Sequence, residues 1–331
     1  MRQINQRHQQ TPARKISPLM ADVSLLFVAL GWGSTFIVVK TAVEDLPPFP
    51  FLAGRFTLAF LALLPLLWLQ RHHINLPTIG KAALAGTLLF LGYATQTIGL
   101  QYTTASNAGF ITGLNVVIVP VLLAIYHRKL PPWAVCCGIL CSVLGLGLMS
   151  IQEGFTVNAG DPLVLICAFC YALQIILVGR FAPEVNATVL ASFQILTVAI
   201  LSGLCTIIVP QPHYIFSGYV WFGLILTALI CTSFAYLVQS KMQQFTSATH
   251  TAIIFATEPV FSAIFAYLLA GEVLSLRGYA GAALVLVGIL SVELSSIAKL
   301  KLKSKSNKQS NKAGNTGKPC KVHKPQKIHK A

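Results

Sequence analysis

Long apolar runs almost free of charge constrain this chain more than any other feature. "IIFATEPVFSAIFAYLL", from Ile253 to Leu269, carries a single carboxylate, Glu258, followed at once by Pro259. At the centre of a bilayer a charge costs roughly 2.5–3.5 kcal/mol even on insertion scales, and a proline inside a helix removes a hydrogen bond. Ten such runs are expected to span the membrane, at about 20–40, 49–69, 81–100, 104–126, 133–151, 161–180, 187–209, 219–240, 246–269 and 278–297. Each is long enough at about 1.5 Å per residue to cross a hydrocarbon core of about 30 Å. Only 10% of residues are charged, against about 25% in an ordinary globular domain. The breaks carry turn chemistry, as in "EDLPPFP", "HRKLPPW" and "EGFTVNAGDP", and short loops make neighbouring helices antiparallel.

The net charge of +15 does not point to nucleic acid, because the basic residues gather at the two ends. Arg2, Arg7, Arg14 and Lys15 precede the first run, and a Lys-rich segment follows the last. The chain is expected to divide into a cytoplasmic N-terminal segment (1–19), two five-helix units (20–151 and 152–297) and a disordered Lys-rich cytoplasmic tail (298–331). No cleavable signal peptide is expected. With the N-terminus inside, Arg71, Lys81, Arg128, Lys129, Arg180 and Lys241 fall on the cytoplasmic face. Glu44, Asp45, Glu153, Asp161 and Glu272 fall on the other, with Arg277 its clear base. The sequon at Asn186 then lies inside and should be silent.

Seven of the eight cysteines lie in apolar runs and read as small packing residues. "CAFC" lacks the second ligand pair a metal or redox site needs, and Cys320 with His323 could catch a metal but falls in the tail expected to be disordered without one. No cofactor or metal is expected.

Shifted by about 143 positions, the chain aligns with itself. "YATQTIGLQYTTASNAGFITGLNVVIVP" from Tyr93 falls on "YLVQSKMQQFTSATHTAIIFATEPVFSA" from Tyr236, pairing Tyr93 with Tyr236, Gln96 with Gln239 and Thr103 with Thr246. Gly138/Gly281 and Gly145/Gly288 continue the register. Earlier, a shift of about 139 sets Asp22 on Asp161, Trp32 on Tyr171 and Arg55 on Gln194. The expected fold class is an all-α membrane protein of ten transmembrane helices in two five-helix repeats. Five is odd, so the repeats are inverted, and such repeats enclose a site near the midplane.

Tyr93 and Gln96, and again Tyr236 and Gln239, share a helix face. Within a membrane such groups either bond a neighbouring helix or line a wet cavity. Glu258 aligns with Asn115, and Pro259 and Pro120 are the expected helix breaks. Arg55 either snorkels to the outer interface or pairs with Glu258. Glu258 itself serves transport or holds its helix to a partner. Trp32, Tyr171 and Gln174 are placed at the same centre. Asp161 lies at the outer edge with no evident partner, and His250 near the inner end of its helix is read as structural.

These residues resemble the EamA-type branch of the drug/metabolite transporter superfamily. The match is carried by "WGSTF", "GRF", "GLQYTTASNAGFI" and "QQFTSATHTAIIFATEPVFSAIFAYLLAGE". The resemblance implies ten helices around a central cavity, and secondary transport of a small organic metabolite, an amino acid or related compound among them, often outward. The substrate-binding set expected is Trp32, Arg55, Tyr93, Gln96, Asn115, Tyr171, Gln174, Gln194, Tyr236, Gln239 and Glu258. Partners are a small-molecule substrate and the lipid bilayer, with a proton or counter-substrate and a homodimer left open and nucleic acid excluded. Location is the plasma (inner) membrane, multi-pass, with both termini cytoplasmic. No metalloprotease, nucleophile-elbow or Walker motif occurs, so an enzyme is not expected. The alternative is a non-transporting membrane scaffold or lipid-binding protein.

Overall fold

The computed structural model describes residues 17–103, 105–150, 158–209, 214–270 and 275–291. The N-terminal basic cluster, Glu153, Glu272, Cys320, His323 and the Lys-rich tail lie outside the described residues. The regular secondary structure of the described residues is helical. In chain order the helices are α1 (Pro18–Gly33), α2 (Phe36–Asp45), α3 (Pro48–Leu69), α4 (Leu76–Leu100), α5 (Ala105–Gly113), α6 (Asn115–His127), α7 (Trp133–Ser150), α8 (Asp161–Phe181) and α9 (Ala187–Ile208). After them come α10 (Gly218–Ala228), a π-helical turn (Leu229–Phe234), α11 (Ala235–Met242), α12 (Ala248–Phe255), α13 (Glu258–Ala270) and α14 (Leu276–Ser291).

Six helical stretches are long and apolar enough to cross a membrane: Pro48–Leu69, Leu76–Leu100, Ala108–His127, Asp161–Phe181, Ala187–Ile208 and Gly218–Met242. Trp133–Leu148 and Leu276–Ser291 are shorter apolar helices. Only 33% to 56% of each long stretch is buried inside the protein. The remainder exposes Leu, Ile, Phe and Trp, including Leu66, Trp68, Ile207, Ile208 and Phe222. Water would penalise such a belt; lipid does not.

Side-chain caps set several helix starts. Ser17, Asn75, Asn186, Ser217 and Ser247 each accept a hydrogen bond from a backbone N–H in the first turn of the helix that follows. Asn186 also donates to Gln70 Oε1 at 3.0 Å, so the sequon asparagine is engaged in a cap. The core is built where α3 packs along α9 and α4 packs along both α8 and α9. Phe56, Leu89, Ile195 and Val198 fill it.

The first run is two helices. α1 ends at Gly33, and α2 leaves it at 42° after a turn at Ser34–Thr35. Pro120 corrects the sequence reading, for it lies inside α6. The break comes earlier, at Leu114, where the chain tightens to three-residue hydrogen bonds (Leu114 N–H to Ile111 O, Val117 N–H to Leu114 O). In the other half the break falls at Ala256–Thr257, with Thr257 N–H donating to Ile254 O. Leu114 and Thr257 are 143 apart, so the two breaks coincide in the repeat register although the prolines do not.

Candidate functional site: a cavity between the helix breaks

Glu258 is the first residue of α13, not the middle of a helix, and Pro259 is the second. A proline there forfeits no helical hydrogen bond, and a carboxylate at a helix N-terminus meets the positive end of the helix dipole. Both features that look misplaced in a continuous span are suited to a helix start. Asn115 is likewise the first residue of α6. Gly33 brings α1 onto this start: a Cβ there would stand 2.5 Å from Glu258 O and 2.9 Å from Ser262 N. Gly92 does the same for Tyr171, whose ring occupies the space a Cβ would need.

Ten of the eleven expected residues line one cavity: Trp32, Arg55, Tyr93, Gln96, Asn115, Tyr171, Gln174, Tyr236, Gln239 and Glu258. Its empty space is about 690 Å³ including the open mouth. Gln194 is the exception. It is fully buried behind the wall, accepting from Gln174 Nε2 at 3.0 Å. Sequence reasoning missed Thr35, Phe36, Val39, Leu89, Thr97, Leu100, Ile175 and Phe255, which also line the cavity. Most are apolar, and nothing in their spacing separates a wall residue from a packing residue.

The aromatic residues form a cluster. The Trp32 ring lies 4.9 Å from Phe255 and 5.6 Å from Tyr236, and Tyr93 lies 5.5 Å from Tyr171. The repeat mates Tyr93 and Tyr236 meet, Tyr236 Oη–H donating to Tyr93 Oη at 2.9 Å. The π turn presents two of its groups to this cluster. The Cys231 carbonyl accepts from Trp32 Nε1–H at 2.7 Å, and Thr232 Oγ1 accepts from Arg55 Nε–H at 2.8 Å. π turns recur at functional sites for this reason: the wider turn releases groups the helix would otherwise occupy.

Arg55 corrects both of its expected roles. It is 3% exposed, so it does not snorkel outward. No carboxylate lies in ion-pair distance of it; among the described residues the ion pairs are Lys81–Glu184 and His250–Asp22. Arg55 donates to Thr232 and Tyr93 and stands 4.8 Å above the Tyr93 ring. The Glu258 carboxylate makes no hydrogen bond or ion pair among the described residues, which leaves its expected role as a tether to a partner helix without support. The cavity wall thus holds one cation and one carboxylate that do not neutralise each other. Asn115 Oδ1 and Gln239 Oε1 are buried there without a hydrogen-bond partner among the described residues.

On the far wall four buried glutamines form a chain. Gln194 donates to Leu190 O, Gln174 to Gln194, Gln239 to both Gln174 and Gln243, and Gln243 to Ile175 O. Asp161 is also corrected. It is partnered, accepting from Thr103 Oγ1–H at 2.6 Å and from Asn158 N–H at 2.8 Å. Among the described residues no group of three His, Cys, Asp or Glu could hold a metal.

An apolar helical body enclosing a partly polar cavity between broken helices defines a multi-pass membrane protein of the transporter class. The EamA-like transporter family model matches the chain twice, over residues 19–151 and 158–294, and the chain belongs to that family. It is 34% identical over 288 residues to an uncharacterised transporter of Archaeoglobus fulgidus, covering 86% of this chain and 90% of the relative. It is 25% identical to the S-adenosylmethionine/S-adenosylhomocysteine transporter of Chlamydia trachomatis, covering 76% of this chain and 83% of that one. A solved crystal structure superposes with a TM-score of 0.71 at 19% identity, over 84% of this chain and 98% of that chain, a likeness of fold. The protein is a membrane transporter with a small-molecule substrate.

Proposed function

We propose that this chain is a secondary transporter of small organic zwitterions, amino acids or close relatives of them, working by alternating access in the plasma membrane. The single observation that carries the substrate class is a pair of ionisable side chains in one cavity lining that form no ion pair: Arg55 without a carboxylate, Glu258 without a cation. A ligand with a carboxylate and an ammonium group answers both. Its apolar body would lie against Trp32, Tyr93, Tyr171 and Tyr236, and its remaining N–H groups would reach Asn115 Oδ1 and Gln239 Oε1. The relative named for S-adenosylmethionine and S-adenosylhomocysteine fits this chemistry, since both compounds carry an amino-acid group.

The membrane arrangement in this proposal is ten crossings in two inverted five-helix repeats, 20–151 and 152–297, with both termini cytoplasmic and export as the working direction. Support comes from the odd number of apolar runs in each repeat and from the charge asymmetry of the loops. Reporter fusions after Lys81, Lys129 and Lys241 should read inside and one after Asp45 outside. An outside reading at Lys129 breaks the inverted arrangement. For the substrate, a thermal-shift screen of the purified protein against amino acids, sugars, nucleobases and organic cations is the direct test. Stabilisation should need both charges, so the methyl ester and the des-amino analogue of a stabilising amino acid should fail. Equal stabilisation by either analogue overturns the zwitterion assignment.

A further inference from the structure

The four buried glutamines carry an inference about what the cavity selects, and it rests on the substrate reading above. The order of nitrogen and oxygen along their chain is set from outside it. Both ends are backbone carbonyls, Leu190 O and Ile175 O, and a carbonyl only accepts. Gln194 therefore turns its Nε2–H to Leu190 O at 3.2 Å, and Gln243 turns its own to Ile175 O at 3.1 Å. Each is left with its oxygen for the next residue. Gln194 Oε1 accepts from Gln174 Nε2–H at 3.0 Å, which leaves Gln174 Oε1 for Gln239. The two arms thus reach Gln239 with an oxygen each. Its Nε2 donates to Gln174 Oε1 at 3.2 Å and to Gln243 Oε1 at 3.1 Å. A carboxamide nitrogen carries two hydrogens, and both are engaged. What remains is Gln239 Oε1, buried without a hydrogen-bond partner among the described residues, on a residue that lines the cavity.

The repeat mate of Gln239 is held differently. Gln96 lines the same cavity between two hydroxyls, donating to Thr112 Oγ1 at 3.1 Å and accepting from Tyr171 Oη–H at 3.3 Å. A hydroxyl can donate or accept, so the Gln96 amide can turn over and keep both bonds. We infer that Gln239 is a hydrogen-bond acceptor of fixed polarity that selects a ligand bearing an N–H, and that Gln174, Gln194 and Gln243 are the positioning residues that hold it so. An acceptor buried without a donor is costly; a ligand N–H removes that cost, and a ligand group that lacks a donor leaves it in place. This is a requirement that charge alone does not impose. A quaternary ammonium answers the charge of Glu258 and offers nothing to Gln239.

Two measurements on the purified full chain test the inference. The first needs no ligand. A lysine has three donors; a glutamate has none when ionised and one when protonated. Gln239→Lys can still meet both oxygens of the chain, whereas Gln239→Glu cannot and should melt several degrees lower. At Gln96, where the hydroxyls adapt, the Lys and Glu variants should melt close together. A gap no larger at Gln239 than at Gln96 overturns the fixed polarity. The second uses L-phenylalanine, matched to the aromatic lining, with its N-methyl, N,N-dimethyl and N,N,N-trimethyl derivatives. All keep both charges, and the third methyl removes the last N–H. Affinity in the parent should drop about tenfold or more at that step, the scale of a hydrogen bond to a charged group. In Gln239→Met, where the steric change is the same, the step should largely vanish. Gln194→Met should shrink it too, because Gln174 and then Gln239 are free to turn over; a merely structural defect would weaken all four compounds alike. No step in the parent, or a step as large in Gln239→Met, overturns the inference and leaves the zwitterion assignment standing. Failure of every amino acid to stabilise the protein removes that assignment, and the melting comparison still decides the polarity of Gln239.

Discussion

On α3 the side chain facing the core a third of the way along is Arg55; on α9 its repeat mate is Gln194. Both are buried, at 3% and 0% exposure. Arg55 donates to a hydroxyl from the π turn and to a tyrosine, and it faces the cavity. Gln194 is enclosed in an amide chain with a carbonyl at each end. One duplicated position thus faces the cavity as a guanidinium in one repeat and is buried as a hydrogen-bonded amide in the other. At the periphery the repeat mates remain alike. A Cβ on Gly145 would stand 2.5 Å from Gly281 O, and one on Gly288 would stand 2.7 Å from Gly138 O. The pairs 145/288 and 138/281 are mates, so α7 and α14 meet through the same contact made twice. Around the cavity Arg55 and Gln194 diverge while Tyr93/Tyr236 and Gln96/Gln239 stay alike, and between α7 and α14 the glycine mates stay alike.

The strongest way to break this comparison is Glu258→Gln. The carboxylate has no protein partner among the described residues, so the variant should fold and melt like the parent while losing ligand stabilisation and transport almost completely. A fully active variant would remove Glu258 from the site. Arg55→Gln makes the two walls alike. Tyr93 still accepts from Tyr236, and Thr232 still donates to Thr227 O at 2.9 Å, so stability should fall little. Affinity for a carboxylate-bearing ligand should fall about 10- to 100-fold, the worth of a hydrogen bond to a charged group. The reverse change, Gln194→Arg, buries an unpaired cation among amides and should destabilise by about 3 kcal/mol or more in chemical denaturation. Equal effects of the two swaps on stability would deny the difference between the walls.

Gly145→Ala and Gly288→Ala sharpen the symmetric side of the comparison. Each forces two helices apart and should cost about 1–3 kcal/mol, by similar amounts. A cost at one position alone, in matched melting curves, would show that the peripheral contact is not a true duplicate. The smallest effect is expected at the surface pair of Lys81 and Glu184. The hydrogen bond and charge of Lys81 hold the Glu184 carboxyl below its usual range. A lowered folded-state value means stabilisation above that range and its loss as pH falls through it. The difference in melting temperature between the parent and Glu184→Gln should therefore be small and positive at neutral pH. It should vanish in acid and shrink in high salt.

Membrane class, family and the central set of polar and aromatic residues were readable from the sequence. Apolar runs and loop charges reflect the solvent of each segment, and solvent acts on residues locally. The 143-residue shift aligned Tyr93 with Tyr236, and the two meet in the structure. The break at Leu114 could not be, because no proline marks it; Pro120 stays inside α6, where its position suggested a break. The apolar lining residues were equally hidden, since a Leu or Val reads the same against lipid, core or cavity.

By itself the sequence determined that the chain is helical, apolar and duplicated, and which polar side chains would have to be accommodated away from water. Only the tertiary structure decided how they were accommodated. It made Glu258 the start of a helix, held Arg55 from neutral partners, and closed four glutamines into a chain. The reason is that hydrogen-bond partners here come from helices up to about two hundred residues apart, as Trp32 with Cys231 and Arg55 with Thr232. Local periodicity fixes which face a side chain shares, whereas the group opposite that face is chosen by packing.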